Sequence, residues 1–256
     1  MKLYVVTAKK LVLNMLCIAA LITLAALNYD NSQAVFRSEL AEELPIYCVD
    51  TEKKQCALSF DAAWGAEDTP ILIDILKEYD AKATFFVVGE WVDKYPDAVK
   101  MLHDAGHDVM NHSDTHQYMT KLENDRLISE VENCSDKIEK VTKVRPNLFR
   151  APYGDYNGVV VKKLASMGYY TIQWNVDSLD WQDLTANEIY NRVIQKTKNG
   201  SIILFHNAAK NTPEALPKIL EKLKNDGYEF VKINDLIYKK DYYIDNTGKQ
   251  IKKPKS

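Results

Sequence analysis

The sequence lacks a strong charge of either sign. Its 33 lysine and arginine residues nearly balance its 36 aspartate and glutamate residues, so the formal net charge is only −3 over 256 residues. Proteins that attract nucleic acid through a long-range field carry a marked basic excess, and this chain has none. The composition therefore argues against a nucleic-acid partner, and the lysines of the terminal IKKPKS are expected to form a solvated tail.

Linkers, low-complexity segments and zinc-binding cysteine patterns are also missing. From Gln55 onward no Pro/Gly/Ser-rich stretch divides the chain, which favours one globular domain with a single sizeable core. None of the four cysteines lies in a CxxC or Cys/His spacing, which argues against a structural zinc. Cys48 and Cys56 flank a predicted short hairpin loop and could face each other, and the sequence leaves a disulfide between them open. Cys134, in a helical stretch, is expected in the core.

An apolar run near the N-terminus, residues 11–27, follows three lysines and is interrupted only by Asn14. Its length is close to the lower limit of roughly 18 residues for a membrane-spanning helix. Because lysines stay on the cytoplasmic side, the run predicts an uncleaved membrane anchor that leaves the rest of the protein outside the cytoplasm. The small residues Ser32 and Ala34 leave signal-peptide cleavage and secretion as the alternative.

Short β-rich runs alternate with amphipathic helical runs from Gln55 onward, as in CALSF, TPILIDILKEYDA and KATFFVV. This alternation predicts a parallel sheet with helices outside it. About seven repeats favour an irregular (β/α) barrel, and a doubly wound open sheet is the alternative. We divide the chain into residues 1–34 (lysines, anchor and linker), 35–54 (a leading hairpin segment), 55–238 (the main domain) and 239–256 (a lysine-containing tail).

Polar, chemically competent residues follow five of the predicted strands. In either fold the carboxyl ends of the strands carry the chemistry, so these residues are expected to lie at one edge of the sheet. The residues at these strand ends are Asp61, His112, His116, Arg150, Tyr153, Asp177, Asp180, Trp181, Leu204 and His206, of which Leu204 is apolar. Three of the chain's five histidines are among them, and this concentration predicts an active site.

The spacing of His112 and His116 allows both imidazoles to reach one side of a turn, which suits a divalent metal such as zinc. An isolated pair with this spacing could equally be capping or core histidines, but the neighbouring strand-end residues favour a metal site. His103 and His107 share the spacing. They straddle a helix end and a glycine turn at the opposite end of a strand, so we expect surface or capping residues there.

The strand-end residues fit metal-assisted hydrolysis of an amide or ester. Asp61 is the candidate base that takes a proton from water, and Arg150 is the cation that would keep it ionised and oriented. His206 is the candidate acid that protonates the leaving nitrogen. Asp180 would raise the pKa of His206 so that it can carry that proton. Backbone N–H groups would hold the oxyanion.

Five motifs occur in the order FDAAWG, HSDTH, RAPYG, DSLDW and LFH. On them the sequence resembles the NodB-type polysaccharide deacetylases, carbohydrate esterase family four, from about Cys56 to about Ile237. The resemblance implies a deformed (β/α) barrel that uses a divalent metal, often zinc, to remove acetyl groups from N-acetylated sugars of peptidoglycan or chitin-like polymers. The apolar N-terminus and the SFDAAWG stretch are most similar to sporulation-associated, membrane-anchored members.

The resemblance also implies a role for each matching residue. The roles are Asp61 as the catalytic base, His112 and His116 as metal ligands, Arg150 as the residue that holds the base, Tyr153 as the donor of an oxyanion-hole backbone N–H, Asp180 as the residue that tunes the acid, Trp181 and Leu204 as the lining of the acetyl pocket, and His206 as the acid.

The chain departs from the family pattern at Ala62, where the family has an aspartate that serves as the third metal ligand. An alanine cannot ligate, so weaker metal binding is expected. The two histidines could hold the metal with extra waters, Asp61 could itself turn to the metal, or the metal could be absent and the barrel could only bind glycan. Asp114 is a weak candidate for a replacement ligand, because a side chain between the histidines would tend to point away.

An active deacetylase and a glycan-binding pseudoenzyme are therefore both compatible with the sequence. Retention of the base, the acid and their two partners favours the enzyme, since a pure binder needs none of the four. Ala62 supports the pseudoenzyme. Four aromatic residues whose rings could stack on sugars also support it: Trp64, Tyr153, Tyr156 and Trp181.

Overall fold

The structure, a computed structural model, describes residues 43–254. Within this range the strands are β1 (Cys48–Val49), β2 (Gln55–Ala62), β3 (Ala83–Val87), β4 (Asp108–Asn111), β5 (Leu148–Phe149), β6 (Tyr170–Thr171), β7 (Val176–Asp177), β8 (Ser201–His206), β9 (Glu229–Phe230), β10 (Tyr242–Ile244) and β11 (Lys249–Lys252). The α-helices are α1 (Thr69–Glu78), α2 (Gly89–Lys94), α3 (Pro96–Asp104), α4 (Asn124–Thr142), α5 (Gly158–Ser166), α6 (Ala186–Lys196), α7 (Thr212–Asn225) and α8 (Ile233–Leu236). Short 3-10 turns lie at Met119–Lys121, Pro152–Gly154 and Asp180–Gln182.

Local sequence signals account for where several helices begin. Helices α1 and α7 have a proline in the first turn, where no backbone donor is needed. Helix α6 begins with a reciprocal capping box, in which the Thr185 side chain accepts from the Glu188 N–H and the Glu188 carboxylate accepts from the Thr185 N–H. These signals fix the helix starts, while burial of one face of each helix against the sheet supplies most of the stability.

One sheet contains all these strands, in the order β10-β11-β1-β8-β2-β3-β4-β5-β6, with β7 paired to β8 and β9 to β2. The strands from β8 to β6 pair in parallel. In the register of β2 and β8, Asp61 lies opposite His206. The predicted alternation of strand and helix is confirmed, and it brings the carboxyl ends of the central strands to one edge.

The residues just before β1 close the sheet into an irregular barrel. Ile46 forms a parallel bridge with Ile172, just after β6, where its N–H donates to the Thr171 carbonyl at 2.9 Å. Two residues later β1 pairs antiparallel with β8. The start of the described chain thus joins the two ends of the parallel set, and the barrel-like α/β fold predicted from the sequence is confirmed.

The predicted hairpin between Cys48 and Cys56 is wrong. Strand β8 lies between β1 and β2, so both cysteines pair with Ser201 from opposite sides. Two interstrand spacings separate them by roughly 10 Å, beyond the Cα separation of about 4.4–6.8 Å that a disulfide allows. Both thiols are free. The local sequence could not show that a strand from far along the chain inserts between these two.

Residues 239–256, separated on sequence as a tail, contribute β10 and β11. Strand β11 pairs in parallel with β1 and antiparallel with β10, so it extends the sheet beyond the barrel. Gly200, just before β8, allows β1 to approach β8 closely. It has φ +77°, and a Cβ at this position would overlap the carbonyl oxygen of Val49.

The main core lies between the sheet and the helices around it. Phe60 stacks between Phe85 and Phe205, at centroid separations of 4.8 and 5.4 Å. Cys134 is fully buried, as predicted. None of the helices within residues 43–254 has the length and hydropathy to cross a membrane, and the predicted anchor at residues 11–27 lies outside the described residues.

Candidate active site

A cavity of about 470 Å³ opens at the carboxyl ends of the barrel strands. It is lined by Asp61, Ala63, Trp64, His112, His116, Tyr153, Gly154, Trp174, Asp177, Trp181, Leu204 and His206. Every strand-end residue singled out from the sequence lines this cavity except Arg150 and Asp180. Those two lie directly behind it, each bonded to a residue that does line it.

Asp61, at the end of β2, is held by Arg150. The Arg150 Nη1 donates to Asp61 Oδ1 at 2.7 Å, and its Nη2 donates to the Ser59 hydroxyl at 2.9 Å. The guanidinium is completely buried and lies 4.2 Å from the centroid of the Phe86 ring. Burial alone would raise the pKa of Asp61, but the charge of Arg150, with the two nearby imidazoles, outweighs it and leaves that pKa below its usual value. Asp61 is therefore an ionised carboxylate with one oxygen, Oδ2, facing the cavity side.

His206, at the end of β8, is held by Asp180. The imidazole Nδ1 lies 2.8 Å from Asp180 Oδ1, and the His206 backbone N–H donates to Oδ2 at 2.9 Å. The Thr212 hydroxyl also donates to Oδ2, at 2.7 Å. Burial lowers the pKa of His206, but its hydrogen bond to Asp180 and the surrounding carboxylates overcome this and raise it above its ordinary value. The site thus places an ionised carboxylate and a protonatable imidazole on adjacent strands.

His112 and His116 face the same cavity as neutral rings. The His112 Nδ1 lies 2.8 Å from the Arg150 carbonyl oxygen, which can only accept, so Nδ1 carries the hydrogen and Nε2 is left as a lone pair. Burial lowers the pKa of both histidines, that of His116 to about 4. The two ring centroids are 5.1 Å apart. Both imidazoles are therefore in the form that ligates metals.

The segment between these histidines is anchored outside the cavity. Asp114 turns away from both rings and accepts from Lys137 Nζ at 2.6 Å. The N–H groups of Gly89 and Glu90, at the start of α2, donate to the carbonyls of Ser113 and Asp114 at 2.9 and 3.0 Å. Asp114 is thus tied to Lys137 rather than aimed at the cavity, which agrees with the low expectation for it as a ligand.

The donors present fit a divalent cation in chemical type but do not form a complete ligand set. Two neutral imidazoles are borderline donors suited to zinc, and Asp61 Oδ2 lies 3.6 Å from His112 Nε2. Within residues 43–254, however, no three His, Cys, Asp or Glu side chains converge closely enough to form a ready metal site. Ala62 is buried in the core cluster between Asp61 and Ala63, both of which line the cavity.

Exposed aromatic side chains surround the mouth of the cavity. Trp64, Tyr153 and Trp181 are 59%, 58% and 57% exposed, which is unusual for such large rings. Tyr153 adopts φ +59° and packs against His116 at a centroid separation of 4.6 Å. Leu204 is almost fully buried at the cavity wall. Tyr156 lies off this rim, where its hydroxyl bonds that of Tyr47 at 2.9 Å.

Sequence reasoning missed several residues that support the site. Ser59 lies two residues before Asp61 on the same face of β2, and this period-two spacing was the available signal. Trp174 lines the cavity and lies within 5.5 Å of the Arg150 guanidinium. Tyr118 stacks on Tyr153 with centroids 4.2 Å apart. Neither aromatic carries a motif that would have identified it.

The second histidine pair, His103 and His107, lies outside the site as predicted. The expectation of a surface residue is wrong for His107, which is buried just before β4 with its Nδ1 accepting from the Ala83 N–H at 3.2 Å. Burial and the nearby Lys82 lower the pKa of His107 to about 4. Both residues line a different cavity, of about 300 Å³, with Lys232.

Comparison with known proteins identifies relatives over about three quarters of this chain. The family model for polysaccharide deacetylase matches residues 49–172. The peptidoglycan-N-acetylmuramic acid deacetylase PdaA of Bacillus subtilis is 32% identical over 76% of this chain and 76% of its own. A peptidoglycan-N-acetylglucosamine deacetylase of Bacillus cereus is 35% identical over 74% of this chain and 91% of its own.

Among solved structures, wild-type BA3943 of Bacillus anthracis, described as a CE4 family pseudoenzyme, superposes with a TM-score of 0.73. It is 36% identical over 75% of this chain and 68% of its own. A mutant of BA3943 with restored enzymatic activity gives the same TM-score at 38% identity, over 75% of this chain and 70% of its own.

Proposed function

Because the chain belongs to the polysaccharide deacetylase family, hydrolases of carbon–nitrogen bonds other than peptide bonds, we propose that it removes N-acetyl groups from cell-wall polysaccharide. The observation that carries this proposal is the pair of supported groups in one cavity. Asp61 is held ionised by Arg150, and His206 is held by Asp180 on the adjacent strand. A carboxylate base and an imidazole acid on either side of a bound amide are what this hydrolysis requires.

Each residue then has a defined task. Asp61 accepts a proton from the attacking water, whose oxygen forms a bond to the acetyl carbonyl carbon. His206 donates a proton to the amide nitrogen as the carbon–nitrogen bond breaks, so acetate and a free amine leave. Arg150 and Asp180 keep these two groups in the required protonation states. The backbone N–H of Tyr153 holds the oxyanion, while Trp181 and Leu204 enclose the acetyl methyl group.

A divalent cation, zinc foremost, completes this proposal. His112 and His116 would hold it through their free ring nitrogens, with waters in place of the ligand that Ala62 cannot supply. When bound, such a cation polarises the carbonyl and lowers the pKa of a bound water. Asp61 stays the base in this arrangement, with Oδ1 accepting from Arg150 and Oδ2 left to take the proton from water.

The proposed substrate is a peptidoglycan strand or another N-acetylglucosamine polymer. The names of the Bacillus relatives specify peptidoglycan sugars, and the exposed Trp64, Tyr153 and Trp181 offer flat faces for sugar rings beside the cavity. A polymer long enough to reach the rim residues would gain contacts that a single sugar cannot. Activity should therefore rise with chain length.

Location and biological setting are proposed from the sequence. The apolar run at residues 11–27 supports a membrane anchor with the deacetylase domain outside the cytoplasm. Retention in the membrane fraction after alkaline extraction would support the anchor, and release into the medium would support secretion. The SFDAAWG stretch supports a role in sporulation, which comparison of protein levels in growing and sporulating cells tests.

Acetate release tests the activity itself. The purified protein with added Zn²⁺ or Co²⁺ should release acetate from N-acetylglucosamine oligomers or peptidoglycan, and Asp61→Asn should abolish the release. Asp97→Asn is the matched control, since Asp97 is an exposed aspartate in the first turn of α3. Equal loss of activity in both variants would contradict the role of Asp61.

A glycan-binding pseudoenzyme is the second candidate. Ala62 and the absence of a converged metal site within residues 43–254 favour it, and BA3943 is itself described as a pseudoenzyme. The two functions separate in one experiment. Retained binding of peptidoglycan fragments, with no acetate released under any metal, would establish the binder.

A further inference from the structure

Glu130 is a buried carboxylate that contacts the segment between His112 and His116. It lies in the second turn of α4, and its side chain is completely inaccessible. Its Oε2 accepts from the backbone N–H groups of Asp114 and Thr115, at 2.9 and 2.8 Å. Its Oε1 accepts from the Thr115 hydroxyl at 2.6 Å. A buried carboxylate is costly, and three of the four hydrogen bonds that this one accepts come from the histidine segment.

The segment needs such support because its backbone is strained. Ser113 and His116 have φ +66° and +57°, in the left-handed region that non-glycine residues avoid. Four consecutive N–H groups, from Ser113 to His116, point to side-chain acceptors rather than to secondary structure. Those acceptors are Asn111 Oδ1, Glu130 Oε2 twice and Ser113 Oγ. Only Glu130 reaches in from another element.

The charge of Glu130 is balanced from outside the cavity. Arg126, one turn earlier on α4, donates to Oε1 at 2.6 Å and is half exposed. The other charged contact of the segment, between Asp114 and Lys137, also lies away from the histidine rings. Glu130 does not line the cavity, so its influence on the site passes through the backbone.

We propose that Glu130 is a positioning residue that holds the 112–116 segment in its strained conformation and thereby aims the His116 ring at the cavity. The inference deepens the proposed function, since His116 belongs to that site. Without the carboxylate, the two middle N–H groups lose their acceptor and the segment can relax. The His116 ring would then leave its contacts with Trp64 and Tyr153, at centroid separations of 5.9 and 4.6 Å.

The test compares Glu130→Ala with Glu130→Gln in the full protein. Gln keeps one oxygen for the two N–H groups and can donate to the Thr115 hydroxyl, so it should preserve the segment. Ala removes both acceptors. The primary readout is the set of NMR contacts between the His116 ring and the Tyr153 and Trp64 rings. The second readout is Co²⁺ affinity by calorimetric titration, which should fall about 10–100-fold in the Ala variant alone, as is typical when a group supporting a ligand is lost.

Two controls separate positioning from general destabilisation. Glu132→Gln removes a charge from the same helix at an exposed ion pair with Arg145. Ile138→Ala removes buried packing two turns further along α4 and leaves the Glu130 carboxylate in place. Both should keep the His116 contacts.

Loss of the His116 contacts in Glu130→Ala, with retention in Glu130→Gln and in both controls, supports the proposal. Unchanged contacts in folded Glu130→Ala would overturn it, and so would equal loss in Ile138→Ala. The ring contacts are observed without substrate or metal, so they test the positioning role of Glu130 even if the protein releases no acetate. Failure of this inference and failure of the proposed activity are thus distinguishable.

Discussion

Arg150→Met should strongly destabilise the protein, because it removes the guanidinium that is bonded to the buried Asp61. Arg150 is the largest fully buried side chain within residues 43–254, and it joins Asp61, Ser59 and the Gln173 carbonyl. Breaking a buried ion pair by removing one partner typically costs about 3–5 kcal/mol. A domain of this size has a total stability of about 5–15 kcal/mol, so the variant should fold with a much smaller margin.

The cost should depend on pH with a defined sign. In the wild type burial raises the pKa of Asp61, but the charge of Arg150 lowers it by a larger amount, so the net shift is downward. A carboxylate with a lowered pKa contributes stability above its unfolded-state pKa, and this contribution is lost as the pH falls through the folded value. In Arg150→Met burial acts with less opposition and the pKa of Asp61 rises. Protonation of Asp61 then removes the unpaired buried charge in the variant. The difference in free energy of unfolding between wild type and Arg150→Met should therefore decrease from pH 7 towards pH 4.

Chemical denaturation of four proteins measures this effect. Wild type, Arg150→Met, Asp61→Asn and the double variant form a cycle, in which the double variant should be less destabilised than the sum of the two single variants by about 1–3 kcal/mol. Two results would refute the view of Arg150 as the partner of a buried charge. One is that the losses in free energy of unfolding of the two single variants are additive. The other is a loss below about 1 kcal/mol for Arg150→Met that does not change with pH.

Three further predictions concern the chemistry of the site. Asp180→Asn should shift the alkaline limb of the pH–kcat/KM profile to lower pH, because loss of the carboxylate lowers the pKa of His206 and the acid loses its proton earlier; an unmoved limb would exclude His206 as the acid. Ala62→Asp should strengthen Zn²⁺ binding at least about tenfold in a calorimetric titration, since a direct ligand contributes no less than a supporting group. Unchanged affinity would mean that position 62 is not where the missing ligand belongs. Trp181→Ala should raise KM for oligomers about 3–10-fold with little change in kcat, through loss of a stacking surface, whereas a loss confined to kcat would place Trp181 in the chemistry instead.

Local sequence predicted the site well because its residues follow apolar runs. Asp61, His112 and His206 each come at the end of a strand whose period or length is plain in the sequence. Parallel pairing then brings them together without further information, as in the register that sets Asp61 opposite His206. The sequence could therefore predict that Asp61, His112, His116 and His206 lie together at one cavity, while their chemical roles stay predictions.

The features that local sequence could not predict depend on pairing between distant segments. Nothing near Cys48 indicates that Ser201 will lie beside it. The local sequence therefore predicts a hairpin of β1 and β2, whereas β8 lies between these two strands. The stretch YYTIQWNV is one continuous β-rich run, which favours a single strand, but it contributes to β6 and β7, which pair with different strands. Glu130 has backbone N–H groups as partners, and these leave no mark on residue identity or spacing.

Closure of the barrel by its first described residues has a consequence for the order of folding. Ribosomes make the segment around Ile46 and Cys48 early, yet Cys48 finds its partners at Ser201 and Lys249. At typical synthesis rates these partners follow about 10–40 s later. Until Ile172 and Ser201 have been made, the apolar residues PIYCV have none of these native partners to pair with. The first strand of the described chain is thus made long before its partners, and closure of the barrel must wait until Ile172 and Ser201 have been made.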